Sequence, residues 1–96
     1  MRKGTAKIQE SFLNREPMCD NNTAVVVLGK VALLTLHGHP IARLDSKDNL
    51  SITLAGHNTA VTRERLNGLR GLQVHTAKGT PYLNGSPWDG QWTEVK

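Results

Sequence analysis

An α+β fold follows from two features of the sequence. Apolar residues recur at helical spacing near its start, and from Ala24 onward short runs rich in β-branched residues alternate with glycine-bearing turns. A chain of 96 residues sustains one core, so residues 1–96 are expected to form a single domain. The expected architecture is an N-terminal helix, an antiparallel meander sheet of about four to six strands, and one short helix inserted after "SITLAG".

Each element has its own signal. Thr5 to Glu16 places Ile8, Phe12 and Leu13 on helical spacing, with Thr5 as N-cap and Pro17 as stop. Met18 to Thr23 gathers turn-prone residues and reads as a loop. "AVVVL", "VALLTLH", "PIARLD" and "LSITLAG" are each of strand length. Gly29-Lys30 and Gly38-His39, with glycine first, suit type II′ hairpin turns, and Ser46 to Asn49 forms the next turn. "LQVHTA" and "PYLNG" make a further hairpin around Lys78-Gly79-Thr80. Asp89-Gly90 is a tight turn that brings Trp88 and Trp92 together. The buried sheet face is assigned to Val31, Leu33, Leu50, Ile52, Leu54, Leu72 and Val74.

Composition narrows the function classes. Hydrophobic residues are 38% of the chain, too many for intrinsic disorder, and 12 Lys and Arg against 8 Asp and Glu leave a net charge of +4 that favours acidic partners. Cys19 is the one cysteine, which excludes an intrachain disulfide and a cysteine-based zinc site and suits a reducing cytoplasm. The longest apolar stretch, Ala24 to Leu36, is broken at Gly29-Lys30, so neither a signal peptide nor a membrane span is expected.

Catalytic chemistry finds little purchase. His37 and His39 have a spacing seen in metal sites, but a turn between them would part the imidazoles, and only His57 or Asp45 is available as a third ligand. The expectation is no metal and no cofactor. Cys19 and His75 lack any nucleophile–base signature, and no glycine-rich phosphate loop occurs, so the expectation is a non-enzyme.

The stretch "TAVTRERLNGL", Thr59 to Leu69, carries the partner hypothesis. With Thr62 as N-cap, Val61 and Leu66 form a hydrophobic staple and Gly68 or Gly71 ends the helix. Arg63 and Arg65 then fall in the first turn, where the helix dipole opposes positive charge by about 0.3–1 kcal/mol each. Arg63, Asn67 and Arg70 would share one helical face, opposite Leu66 and Leu69, and present two guanidinium groups and an amide to a phosphate or carboxylate. Glu64 offers an ion pair within the helix as the structural alternative. Tyr82, Trp88 and Trp92 cluster near the end of the chain, as a stacking platform, a patch for a protein partner, or part of the core. The expected partner-binding set is therefore Arg63, Arg65, Asn67, Arg70, Tyr82, Trp88 and Trp92.

"LHGHPIAR", "LAGHNTAVTRERLNGL" and the closing Trp-Asp-Gly-x-Trp, within residues 31 to 92, resemble a family of small uncharacterised proteins encoded by tailed bacteriophages. Gly38-His39 stands where that pattern leads one to expect Gly-Asn. The resemblance implies viral origin and a setting in the host cytoplasm, with no mechanism attached. The function expected is a non-enzymatic phage accessory protein that binds a host protein or nucleic acid. The alternative is a structural component, either a small homo-oligomer or a virion-associated protein.

Overall fold

The computed structural model describes residues 3–20, 22–56 and 59–95. Its first helix, α1 (Lys3–Leu13), starts ahead of the expected cap, so Thr5 lies inside it. It ends in a Schellman arrangement, with Glu16 N–H donating to the Ser11 carbonyl (2.8 Å) and Arg15 N–H to the Phe12 carbonyl (3.1 Å). Arg15 takes the left-handed position, φ 55°, that glycine usually fills. Its side chain accounts for the exception, because the guanidinium donates to the Lys30 carbonyl (2.8 Å), the Asp45 carbonyl and the Asp48 carboxylate (2.8 Å).

Strands β1 (Met18–Asp20), β2 (Thr23–Leu28), β3 (Val31–Leu36), β4 (His39–Leu44) and β5 (Leu50–Ile52) form an antiparallel meander in chain order, and β9 (Thr93–Val95) closes it beside β5. A second sheet of β6 (Val74–Ala77), β7 (Thr80–Leu83) and β8 (Ser86–Pro87) precedes β9. Helix α2 (Ala60–Leu66) lies between the sheets in sequence. The fold is α+β. The segment Met18–Asp20, expected as loop, is instead an edge strand paired with β2.

Turn chemistry sets the hairpins. Leu28 pairs with Val31 around Gly29-Lys30, and only Gly29 has positive φ (63°), the pattern of the expected type II′ turn. The next turn falls on His37-Gly38, not Gly38-His39: Leu36 pairs with His39, and both turn residues have positive φ (52° and 81°), as type I′ requires. Lys78-Gly79 and Asn84-Gly85 repeat this pattern, so Asn-Gly ends a strand that had seemed to run through it, and Thr80 belongs to β7.

Asp89-Gly90 makes no hairpin. Asp89 Oδ1 accepts from Gln91 N–H (3.0 Å), and the Gly90 carbonyl accepts from Leu54 N–H and the Thr53 hydroxyl (both 2.8 Å), which seats the bend on the sheet. A β-carbon at Gly90 would meet Leu54 Cδ1 at 3.2 Å.

One face of the main sheet is covered by both helices. Ile8 and Phe12 of α1 and Leu66 of α2 pack with Val25, Ala32, Leu34, Leu44, Leu50 and Ile52. The buried set of β3 is thus Ala32, Leu34 and Leu36, while Val31 and Leu33 point to the other side, opposite to the expected parity. A bulge between Leu34 and Thr35 shifts the β3–β4 register and leaves Ile41 and Ala42 both buried.

Two measurements test this description. Leu66 is fully buried, and Leu66→Ala is expected to destabilise the fold by about 2–5 kcal/mol in a urea titration. At the β4–β5 turn, donation from Asn49 N–H is the largest influence holding the Asp45 carboxyl below its ordinary value of 3.8, against an opposing desolvation; Lys47 N–H, the Asn49 amide and the charge of Arg43 also lower it. The contribution of this turn is present above the ordinary value and is lost as pH falls through the lowered one. The Asp45 carboxyl carbon is therefore expected to titrate below 3.8 by NMR, with the Lys47 and Asn49 amide shifts following it.

Candidate partner-binding site

Helix α2 begins one turn earlier than the capping pattern suggested. Thr59, in extended conformation, is the N-cap, and its hydroxyl accepts from Thr62 N–H (3.2 Å). Thr62 is then the third helical residue and is buried, so Val61 and Leu66 do not form the expected staple. The shift reverses the electrostatics. Arg63 and Arg65 lie in the last turn of this seven-residue helix, where the dipole favours positive charge, and the cost assigned to them disappears.

The arginines and their neighbours are used within the fold. Arg65 Nε donates to the Thr23 hydroxyl (3.0 Å), which ties α2 to the start of β2, and Nη1 lies 3.6 Å from Glu64. Asn67 leaves the helix at ψ 127°, and its side-chain oxygen accepts from Val74 N–H (3.1 Å), joining α2 to β6. Gly68 and the short 3₁₀ turn Leu69–Gly71 follow, with Arg70 at φ 49°. The shared helical face of Arg63, Asn67 and Arg70 therefore does not form. Arg70 instead donates to the Asp48 carbonyl (2.7 Å).

The aromatic residues separate likewise. Trp88 is 8% exposed, and its indole N–H reaches the Thr93 hydroxyl (2.9 Å) and the Gln91 carbonyl (3.2 Å), so it completes the core and presents no stacking face. Trp92 is half exposed. Tyr82 is half-buried and stacks on His75 across the β6–β7 pair, with ring centroids 5.2 Å apart.

Two surfaces that the sequence did not single out emerge. The first is the uncovered face of the main sheet. The pairs Val26–Leu33 and Leu28–Val31 point away from the helices, with Val26 39% and Leu28 61% exposed; toward β4, β5 and β9 the same face turns polar through Arg43, Ser51 and Glu94. The second is a cleft of about 420 Å³ between the β3–β4 hairpin and α2, lined by Leu36, His37, His39, Ile41, Leu54, Ala55, Thr59, Val61 and Thr62. His37 and His39 both reach its rim although the chain reverses between them. His57, considered as a third metal ligand, lies outside the described residues; among those described, no group of three or more His, Cys, Asp or Glu is placed to hold a metal ion. No described helix is long and apolar enough to cross a membrane.

Replacing Arg65 by alanine removes a charged donor from a largely buried contact. Arg65→Ala is expected to lower stability by about 1.5–3 kcal/mol in chemical denaturation.

The family model described as Kyanoviridae Gp96 protein matches residues 1–94. No curated protein matches the chain. No solved structure matches it either.

Proposed function

The chain belongs to the Kyanoviridae Gp96 protein family, a cyanophage family, and from that premise we propose that it is a non-enzymatic accessory protein that binds a host protein in the infected cytoplasm. The observation that carries this reading is the open sheet face around Val26, Leu28, Val31 and Leu33. Apolar side chains grouped on one uncovered face are the usual material of a protein interface, where their desolvation drives association.

Nucleic acid is the weaker partner on the same grounds. Arg65 and Arg70 donate to groups of the fold, and Trp88 is enclosed, so these three residues are not arranged as a track for a phosphate backbone and stacked bases. Trp92 and the Tyr82–His75 stack retain exposed surface, but Trp92 adjoins β9 at the far edge of the main sheet, the stack lies on the second sheet, and Arg63 is on α2, which covers the opposite face, so this interface does not include them. Self-association is the second reading, favoured by the same open face, which would be buried equally well by another copy.

A pull-down from host lysate tests the assignment. A specific host protein should be retained after nuclease treatment and lost with Val26→Lys/Leu28→Lys, a variant changed only at exposed positions. Capture abolished by nuclease, with tryptophan quenching by single-stranded oligonucleotide at low salt, would transfer the function to nucleic acid. A dimer by light scattering that the same variant dissociates, with no host protein retained, would establish self-association instead.

A further inference from the structure

Asn-Gly sets a side-chain amide beside a backbone nitrogen that no neighbouring side chain shields, and it occurs at Asn67-Gly68 and at Asn84-Gly85. The fold treats the two differently. At the first, Gly68 N–H donates to the Leu72 carbonyl (2.8 Å), the Asn67 side-chain oxygen accepts from Val74 N–H (3.1 Å), and the Asn67 backbone carbonyl accepts from the buried Gln9 amide (2.9 Å). At the second, the β7–β8 turn, Asn84 is exposed and is held by Gln73 alone. Its N–H donates to the Gln73 carbonyl (2.8 Å), and its side-chain oxygen accepts from Gln73 N–H (3.0 Å). The peptide unit that joins Asn84 to Gly85 is not held: among the described residues, neither the Asn84 carbonyl nor Gly85 N–H has a hydrogen-bond partner. That unit can turn over without losing a bond.

The turn stands one rotation away from a cyclisation geometry. Asn84 at φ 51° and Gly85 at φ 86° make the type I′ form. Turning over the peptide between them gives type II′, in which the first residue keeps φ near about +60° and takes ψ of about −120°. Both types fit a two-residue hairpin, and glycine accepts the change in the sign of φ that the flip demands. Closing a ring from Gly85 N to Asn84 Cγ, through the Asn84 backbone carbon, Cα and Cβ, calls for that same ψ. Gln73 N–H meanwhile holds the side-chain oxygen on which negative charge develops during the attack, as one donor of an oxyanion hole does.

We propose that Asn84 is a site of self-modification, converted through a succinimide to aspartate and isoaspartate with water as the co-reactant. Water or hydroxide takes the Gly85 N–H proton, the nitrogen electron pair forms a bond to Asn84 Cγ, and the Nδ2 group, protonated by water, leaves as ammonia. A water molecule then adds to one of the two ring carbonyls and opens it. Addition at Cγ gives aspartate in an unaltered main chain, and addition at the backbone carbon gives isoaspartate, with an extra methylene in the main chain. The first product keeps an acceptor for Gln73 N–H; the second displaces Leu83 from its pairing with Ser86 and loosens the β7–β8 turn. Either way a neutral side chain becomes an anion. The site is independent of the host-protein interface: it uses none of Val26, Leu28, Val31 or Leu33.

Ageing the full chain in mildly alkaline buffer, folded and in urea, followed by trypsin digestion and peptide mass spectrometry, tests the proposal. Cleavage after Arg65, Arg70 and Lys78 puts the two Asn-Gly sites on separate peptides, Leu66–Arg70 and Gly79–Lys96. In urea both should gain the mass of an amide-to-acid exchange at similar rates. In the folded chain Asn84 should react within a few-fold of its urea rate, while Asn67 slows by roughly tenfold or more because the Gly68 and Val74 hydrogen bonds must open first. Asn84→Gln, whose longer side chain closes a larger and slower ring, should remove the mass change from Gly79–Lys96. Should that variant fail to fold, fragment ions of the wild-type peptide decide, because they place the change at residue 84 or elsewhere. Folding that slows Asn84 as much as Asn67, faster reaction at Asn67 in the folded chain, or a mass change outside residue 84 would overturn the assignment.

Discussion

The side-chain amide of Gln9 holds together what would otherwise be separate pieces. It is buried in α1, and its nitrogen donates to the carbonyls of Arg65 (3.0 Å) and Asn67 (2.9 Å) at the end of α2. The last carbonyls of any helix lack partners within it, and burying them unsatisfied is costly. A helix of seven residues has no independent stability to set against that cost. Its existence depends on the Gln9 amide, on Thr62 and Leu66 below it, and on the Asn67 side chain that passes the connection on to Val74. Two helices, the main sheet and the second sheet are thereby fixed relative to one another through a short polar junction.

Much of the fold was legible because strand alternation and turn residues are local signals. Gly29-Lys30 could be read directly, since glycine stood where positive φ was needed. His37-Gly38 was misplaced by one position because glycine there takes the second left-handed site and histidine the first, an assignment only the register of Leu36 with His39 fixes. The inward face of β3 was undetermined for a different reason: "VALLTL" is apolar at both parities, so either set could face the core. Asp89-Gly90 gave a hairpin signal, but docking of the Gly90 carbonyl on Thr53 and Leu54 prevailed over the local preference.

The candidate site was less legible. Thr59 and Thr62 are both good caps three residues apart, and choosing the second placed Arg63 and Arg65 at the wrong end of the dipole. That single displacement created the appearance of unexplained charge. The grouping of Tyr82, Trp88 and Trp92 in sequence was compatible with a place in the core, but it did not separate Trp88, which turns inward to Thr93, from Trp92, which stays half exposed. The cleft left no local signature at all, because Leu36, Leu54 and Val61 become neighbours only after the sheet has formed.

The order of strands has a kinetic meaning. From β1 to β5 each strand lies beside its predecessor, so the meander assembles by successive closures of short loops, each of small entropic cost. β9 alone must return to β5 across α2 and the whole second sheet. That closure is the longest-range strand pairing of the main sheet, and it also brings the Trp88–Thr93 contact and the Gly90 bend into place. Until it occurs, β5 is the open edge of the nascent sheet, and the last strand acts as the latch that converts a local meander into a cooperative unit.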